Sequence, residues 1–312
     1  MRAPQREAAQ GLPRRVSIYE VGPRDGLQNE KAVVPAEVKA EFIRRLAAAG
    51  LQTIETTSFV PPSWVPQLAD ASEVLKALGD SGRGPQRPVL VPNERGLDRA
   101  LEAGVGAVAI FGSATETFAR KNLNRTVEES IAMFAPVVAR AREAGLWVRA
   151  YVSMCFGDPW EGPVPVEQVA GVAERLMELG CDQLSLGDTI GVGTTGHVSR
   201  LLEALEQRGI GVDRIGVHFH DTYGQALANT MTALRHGVTV VDASTGGLGG
   251  CPYAKSATGN LATEDLVWAL DGAGVVTGAD LGMLVETSVW MSQHLGRPSP
   301  SRVVRALAGG ED

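Results

Sequence analysis

Residues 16–50, VSIYEVGPRDGLQNEKAVVPAEVKAEFIRRLAAAG, hold one complete folding unit. Residues 16–21 form a short apolar strand signal, and residues 35–49 read as a helix that begins at Pro35 and stops at Gly50. Between them, Arg24 and Asp25 stand side by side with Gly22 and Gly26 on either flank. A turn requires glycine but not two opposite charges, and neighbouring residues are poorly placed to pair with each other. The expectation is that each charge has its own target beyond the turn.

The same alternation recurs along the chain eight times, with strand signals at 16–21, 52–56, 88–91, 107–111, 146–152, 183–186, 214–219 and 239–243. Helical stretches lie between them, among them 126–144, stopped by Gly145, and 166–179, stopped by Gly180. Alternating β and α elements imply a parallel sheet, and eight units favour a closed (β/α)8 TIM barrel over an open doubly wound sheet. The strands are apolar runs, as a sheet covered by helices on its outer side requires. Two further helices, at 281–295 and 301–307, would cap the barrel or meet a second subunit. The expected organisation is a flexible tail at 1–15 followed by one catalytic domain at 16–312.

Composition narrows the class. The 312 residues are 44% hydrophobic and 21% charged with a net charge of −7, which describes a globular protein. There is no basic stripe for nucleic acid or anionic lipid and no apolar run near the roughly 20 residues of a membrane span. Cys155, Cys181 and Cys251 form neither a CxxC pair nor a disulfide framework, which fits a reducing, cytoplasmic setting. The start, MRAPQREAAQGLPRR, is basic but lacks a secretory apolar core, so a frayed tail is expected over a short transit peptide.

A barrel places chemistry at the C-terminal ends of its strands. The polar groups fall there. Arg24 and Asp25 follow the first strand, Glu55 closes the second, Asp188 follows the sixth, and His218 and His220 end the seventh. The glycine-rich TGGLGGCPYAKSATGN, with Cys251 and Asn260, follows the eighth. In VHFHDTYG, alternation points His218 and His220 to one face and Phe219 to the other. Two buried neutral imidazoles without partners are costly, and a divalent cation between them removes that cost. Asp25 and Asn260 supply oxygen ligands from neighbouring strand ends. Mixed nitrogen and oxygen ligation without thiolate suits Mg2+ or Mn2+ in a Lewis-acid role. Asp221 is a competing oxygen, but alternation turns it towards the start of the next helix as a cap or supporting group. Cys251 in its glycine-rich loop has the surroundings of a reactive thiol, whereas Cys155 and Cys181 read as small buried hydrophobes.

With these residues in hand, VGPRDGLQNE, IETTSFV, SLGDTIGVG, VHFHDTYGQALAN and GLGGCPYAKSATGNLATEDLV resemble the 3-hydroxy-3-methylglutaryl-CoA lyase family. That family belongs to a metal-dependent TIM-barrel superfamily which includes homocitrate and isopropylmalate synthases. The resemblance implies cleavage of hydroxymethylglutaryl-CoA to acetyl-CoA and acetoacetate, a reaction of leucine catabolism and ketone-body formation. It makes Asp25, His218, His220 and Asn260 the metal ligands, Arg24 the group beside the thioester carbonyl, and Cys251 the catalytic acid/base. Glu55 and Asp188 become supporting active-site acids, and Phe219 departs from the small residue common between the histidines. The implied mechanism is a retro-Claisen step in which a base takes the hydroxyl proton, Arg24 stabilises the thioester oxyanion and Cys251 protonates the enolate carbon. Asp25, cation-bound water and His218 stay open as that base.

Lys121, Asn122 and Arg125 are the candidates for gripping the CoA phosphates, with Asn122 taken as substrate-binding. A homodimer through the C-terminal helices is expected. The alternatives are a related acyl-CoA lyase or Claisen-type synthase and a non-catalytic binder, which the thiol loop and the complete ligand set respectively disfavour. TGGLGG lacks the Lys-Ser/Thr and strand context of a phosphate loop.

Overall fold

The computed structural model describes residues 3–79, 84–250 and 259–309. Its strands are β1 (Ser17–Glu20), β2 (Thr53–Ile54), β3 (Thr57–Ser58), β4 (Val89–Leu90), β5 (Ala107–Ser113), β6 (Trp147–Ser153), β7 (Gln183–Asp188), β8 (Ile215–Phe219) and β9 (Val240–Ala243). All pairs are parallel, in the order β2-β1-β9-β8-β7-β6-β5-β4-β3. The two ends of that order are halves of one strand, separated only by Glu55 and Thr56. The first half pairs with β1 and the second with β4. At the break, the Glu55 N–H donates to Glu20 O at 2.9 Å on one side and the Thr56 N–H to Pro88 O at 3.0 Å on the other. Nine segments therefore form eight staves, and the sheet closes with both edges satisfied. The second strand runs further than the expected 52–56, to Ser58.

The helices α1 (Ala36–Ala48), α2 (Ala71–Leu78), α3 (Glu94–Glu102), α4 (Glu116–Leu123), α5 (Val127–Glu143), α6 (Val166–Glu178), α7 (Thr195–Gln207), α8 (Ala226–Arg235) and α9 (Thr263–Gly272) follow in chain order. Of these, α4 is an extra helix between β5 and α5. The helix expected at 126–144 matches α5, whereas α4, which ends at left-handed Asn124, was not expected. Thr126 and Glu129 form a reciprocal capping box that fixes the start of α5. After the barrel, α10 (Leu281–Leu295) packs on α1, with Arg45 stacked on the Trp290 ring, and on α11 (Arg302–Ala308). The segment expected as a tail makes backbone hydrogen bonds to the end of α9, the Glu7 N–H donating to Gly272 O and the Ala9 N–H to Ala273 O. No described helix is long and apolar enough to cross a membrane.

Alternation divides the sheet into two surfaces. Val148, Ala150, Val152, Leu184, Leu186, Ile215, Val217 and Phe219 join the helices in one continuous apolar core. The lumen is polar. Arg149, fully buried, lies 3.8 Å over the Tyr19 ring and 5.1 Å from the Tyr151 ring centre, and pairs with buried Asp242 at 2.7 Å. This plug supports the floor of the site above it.

Candidate metal centre and substrate cavity

Between β1 and α1 the chain makes a single π-helical turn, Gly22–Gly26, which lifts Arg24 and Asp25 to the mouth of the barrel. Gly26 is required there by close approach. A Cβ on it would lie 2.7 Å from Ser244 Oγ and 2.9 Å from Leu248 Cβ. The turn can thereby sit directly against the chain leaving β9.

Asp25, His218 and His220 converge, one ligand atom from each lying within 4.8 Å of the others. The two imidazoles are 5.3 Å apart between ring centres, while Phe219 points the other way into the apolar core, 6.1 Å from the Phe156 ring. Asn260 completes the group, its Nδ2 donating to Asp25 Oδ2 at 2.8 Å and to Leu248 O at 3.0 Å. Gly249, at φ +111°, admits this amide, since a Cβ there would lie 2.6 Å from Nδ2. The buried Asn260 Oδ1 and His220 Nδ1 have no hydrogen-bond partner among the described residues. Orphaned buried polar atoms beside a carboxylate and two imidazoles fit a cation site.

The electrostatics agree. Burial would raise the Asp25 carboxyl, but Arg24, His218 and His220 outweigh it and hold it down at about 2, so it is an anion. Burial and the neighbouring His218 push His220 down to about 4, which leaves a neutral imidazole. Burial also lowers His218, but its contact with Asp242 more than compensates and raises it.

Arg24 departs from the expectation that the adjacent charges ignore each other. Its Nη1 donates to Asp25 Oδ1 at 2.8 Å and its Nε to Glu55 Oε2 at 2.7 Å. The two side chains meet within the π turn. The Tyr151 hydroxyl donates to the same Glu55 oxygen at 3.0 Å, and the Arg24 guanidinium lies 5.3 Å from the Tyr151 ring centre. Burial alone would lower the Arg24 pKa, yet Glu55 and Asp25 push it well above its usual value. Arg24 is a fixed cation.

These groups open into a cavity of about 770 Å³. Arg24, Asp25, His218 and His220 line its floor, and Trp64, Phe118, Lys121 and Asn122 line its outer part. Arg125 is not among the lining residues, and neither are Glu55 and Asp188. Glu55 acts from behind Arg24. Asp188 turns into its own loop and accepts the N–H groups of Val192 and Gly193, both at 2.9 Å. Burial, opposed by those two N–H groups, raises its carboxyl to about 6. Asp221 accepts the Ala226 N–H at the start of α8 at 3.0 Å and pairs with Arg302 at 2.7 Å. Cys251 lies outside the described residues. Buried Cys155 and Cys181 behave as expected, their thiols pushed up chiefly by burial, Cys181 to about 12. The sequence reading passed over Tyr151, Arg149 and Asp242. Their signal was polar residues at alternate, lumen-facing positions of otherwise apolar strands.

The HMGL-like family pattern matches residues 15–290. The chain is 52% identical to the mitochondrial hydroxymethylglutaryl-CoA lyase of Rattus norvegicus over 98% of this chain and 94% of that protein. It is 52% identical to the mitochondrial hydroxymethylglutaryl-CoA lyase of Arabidopsis thaliana over 96% of its length, and spans only 64% of that longer relative. Cytoplasmic forms also occur among the relatives. The crystal structure of hydroxymethylglutaryl-CoA lyase from Pseudomonas aeruginosa superposes with a TM-score of 0.93 at 45% identity, covering 96% of this chain and 99% of that one.

Proposed function

The chain belongs to the HMGL-like family, and we propose that it cleaves 3-hydroxy-3-methylglutaryl-CoA to acetyl-CoA and acetoacetate. The observation that carries this reading is one cavity holding both an Asp–His–His cluster and a doubly anchored arginine. The products suit leucine breakdown. Asp25, His218, His220 and Asn260 would hold a divalent cation, Mg2+ or Mn2+, which supplies Lewis-acid polarisation of the substrate's hydroxyl and carboxylate oxygens.

The chain's own groups then divide the work. Asp25 is an anion beside Arg24 and would bind the cation. Arg24 stays charged and immobile between Glu55 and Asp25, so it faces the thioester oxygen as charge grows there without reorganising first. Lys121 and Asn122, on the outer wall, would meet the CoA portion. Cys251 is proposed to deliver a proton to the enolate carbon. Asp188 positions the loop after β7 through its two backbone contacts. A homodimer and a cytoplasmic setting complete the proposal, the first supported by the appended helices and the second by the cysteine usage.

The test is acetoacetate release from hydroxymethylglutaryl-CoA with Mg2+ present and after chelation. Release that chelation abolishes and Mg2+ restores is the expected result. No release in either condition overturns the reading.

A further inference from the structure

The two histidines of the cluster are not held alike. His218 Nδ1 lies 3.2 Å from Asp242 Oδ2, whereas His220 Nδ1 has no partner among the described residues. Asp242 is buried on β9 directly across the ladder from His218 on β8, so backbone pairing fixes their proximity. Its Oδ2 also accepts the Ser185 hydroxyl at 2.8 Å, and its Oδ1 accepts Arg149 Nη2 at 2.7 Å. Arg149 is a fully buried permanent cation that needs an anion beside it, and the Asp242 carboxyl at 2.7 Å is held ionised by that charge. An ionised carboxylate only accepts. His218 Nδ1 must therefore carry a proton, and in the neutral ring that binds a cation Nε2 is then the nitrogen with a free lone pair.

We propose that Asp242 is a positioning residue that fixes His218 in the Nδ1-protonated tautomer and presents Nε2 to a divalent cation. The proposal rests on the reading of Asp25, His218, His220 and Asn260 as the cation site. Arg149 has a definite part in it. By occupying Oδ1, it keeps Asp242 on the far side of the imidazole, so the carboxylate supports the ligand and does not join the cluster as another anion. The Tyr151 ring, edge-on to His218 at 6.3 Å and 89°, limits rotation of the imidazole from a third direction. His218 alone of the two has a carboxylate against Nδ1, whereas His220 is placed by its backbone bridge to Asn260.

Two measurements test this. In metal-free protein labelled with 15N-histidine, two-bond 1H–15N spectra report which nitrogen of each ring is protonated, and His218→Gln identifies the His218 signals. A proton on His218 Nδ1 is expected, whether or not Nε2 carries a second one in the metal-free protein, and a ring protonated on Nε2 alone overturns the proposal even where no variant folds. Second, Mn2+ binding to wild type and Asp242→Asn is followed by electron paramagnetic resonance. The asparagine keeps the shape but removes the obligatory acceptor, so the Mn2+ Kd should rise about 10- to 100-fold. The same variant should shift His218 towards the Nε2-protonated form. Folded Asp242→Asn that binds Mn2+ within threefold of wild type overturns the proposal. Absence of Mn2+ binding by wild type itself defeats the cation-site reading, and the tautomer measurement then decides the role of Asp242 separately.

Discussion

Glu55→Gln isolates the charge behind Arg24 without changing its shape. Glu55 is fully buried and accepts two hydrogen bonds on one oxygen, from Arg24 Nε at 2.7 Å and from the Tyr151 hydroxyl at 3.0 Å. Its other oxygen has no partner among the described residues, so the amide nitrogen can occupy that position without displacing a contact. Hydrogen bonds to a charged group contribute roughly 1.5–3 kcal/mol and neutral ones roughly 0.5–1.5 kcal/mol. Only the Tyr151 bond becomes neutral at both ends, while the Arg24 bond keeps its charged donor and loses its ion pair, for a cost of about 2 kcal/mol in all. At about 2.1 cal/mol/K of unfolding entropy per residue, a 312-residue chain shifts by roughly 1.5 °C per kcal/mol, so the melting temperature should fall by about 3 °C.

The catalytic effect is larger in kind. Arg24 would be left with Asp25 as its only anion, and the two would draw together at the expense of the cation site. Loss of a preorganised oxyanion donor typically removes about 2.7–4 kcal/mol of transition-state stabilisation, a fall of roughly 10²- to 10³-fold in kcat. Steady-state kinetics on hydroxymethylglutaryl-CoA should show that fall with KM changed less than about threefold. A folded Glu55→Gln enzyme with wild-type kcat, or with the whole loss in KM, would refute the argument.

Other perturbations separate the remaining parts. Arg24→Ala should lower kcat far more than it raises KM, because the group acts on charge that develops only in the transition state; unchanged turnover would remove it from the mechanism. Phe219→Ala should cost roughly 3–5 kcal/mol of stability in denaturant titrations by opening a core cavity, while Mn2+ affinity stays near wild type because the ring faces away from the ligands. Cys251→Ser should depress kcat by roughly 10²-fold or more, as for a lost general acid, with Mn2+ binding intact. Glu264, whose carboxyl burial pushes up to about 8 against contacts from Ser288 and Gly246, binds a proton in the folded state between its unfolded value of 4.5 and about 8. Stability should therefore fall as pH rises through that interval, by up to about 1.4 kcal/mol per pH unit, and Glu264→Gln should flatten the profile.

The barrel was legible because each of its strands is a short apolar run followed by polar residues and a helix with clear stops. The ligand pair was legible for the same reason: alternation alone sends His218 and His220 one way and Phe219 the other. What stayed hidden depended on contacts across the sequence. The second strand looked shorter than it is because its two halves find different neighbours, and no local pattern records that. The Arg24–Asp25 contact depends on a π turn, a backbone form with no residue signal of its own. Arg149 and Asp242 sit 93 positions apart and meet only when the barrel closes. Asp188 was visible as a polar residue at a strand end, but sequence could not tell whether its carboxylate faces the cavity or its own loop.

The central claim is that groups from three separate strand ends form one cation site. Anomalous diffraction from crystals soaked in Mn2+ tests it most directly. One strong peak is expected, with a carboxylate oxygen of Asp25, the amide oxygen of Asn260 and one nitrogen each from His218 and His220 as its protein ligands. No peak within bonding reach of those four side chains, in crystals that hold Mn2+ elsewhere, would contradict the account.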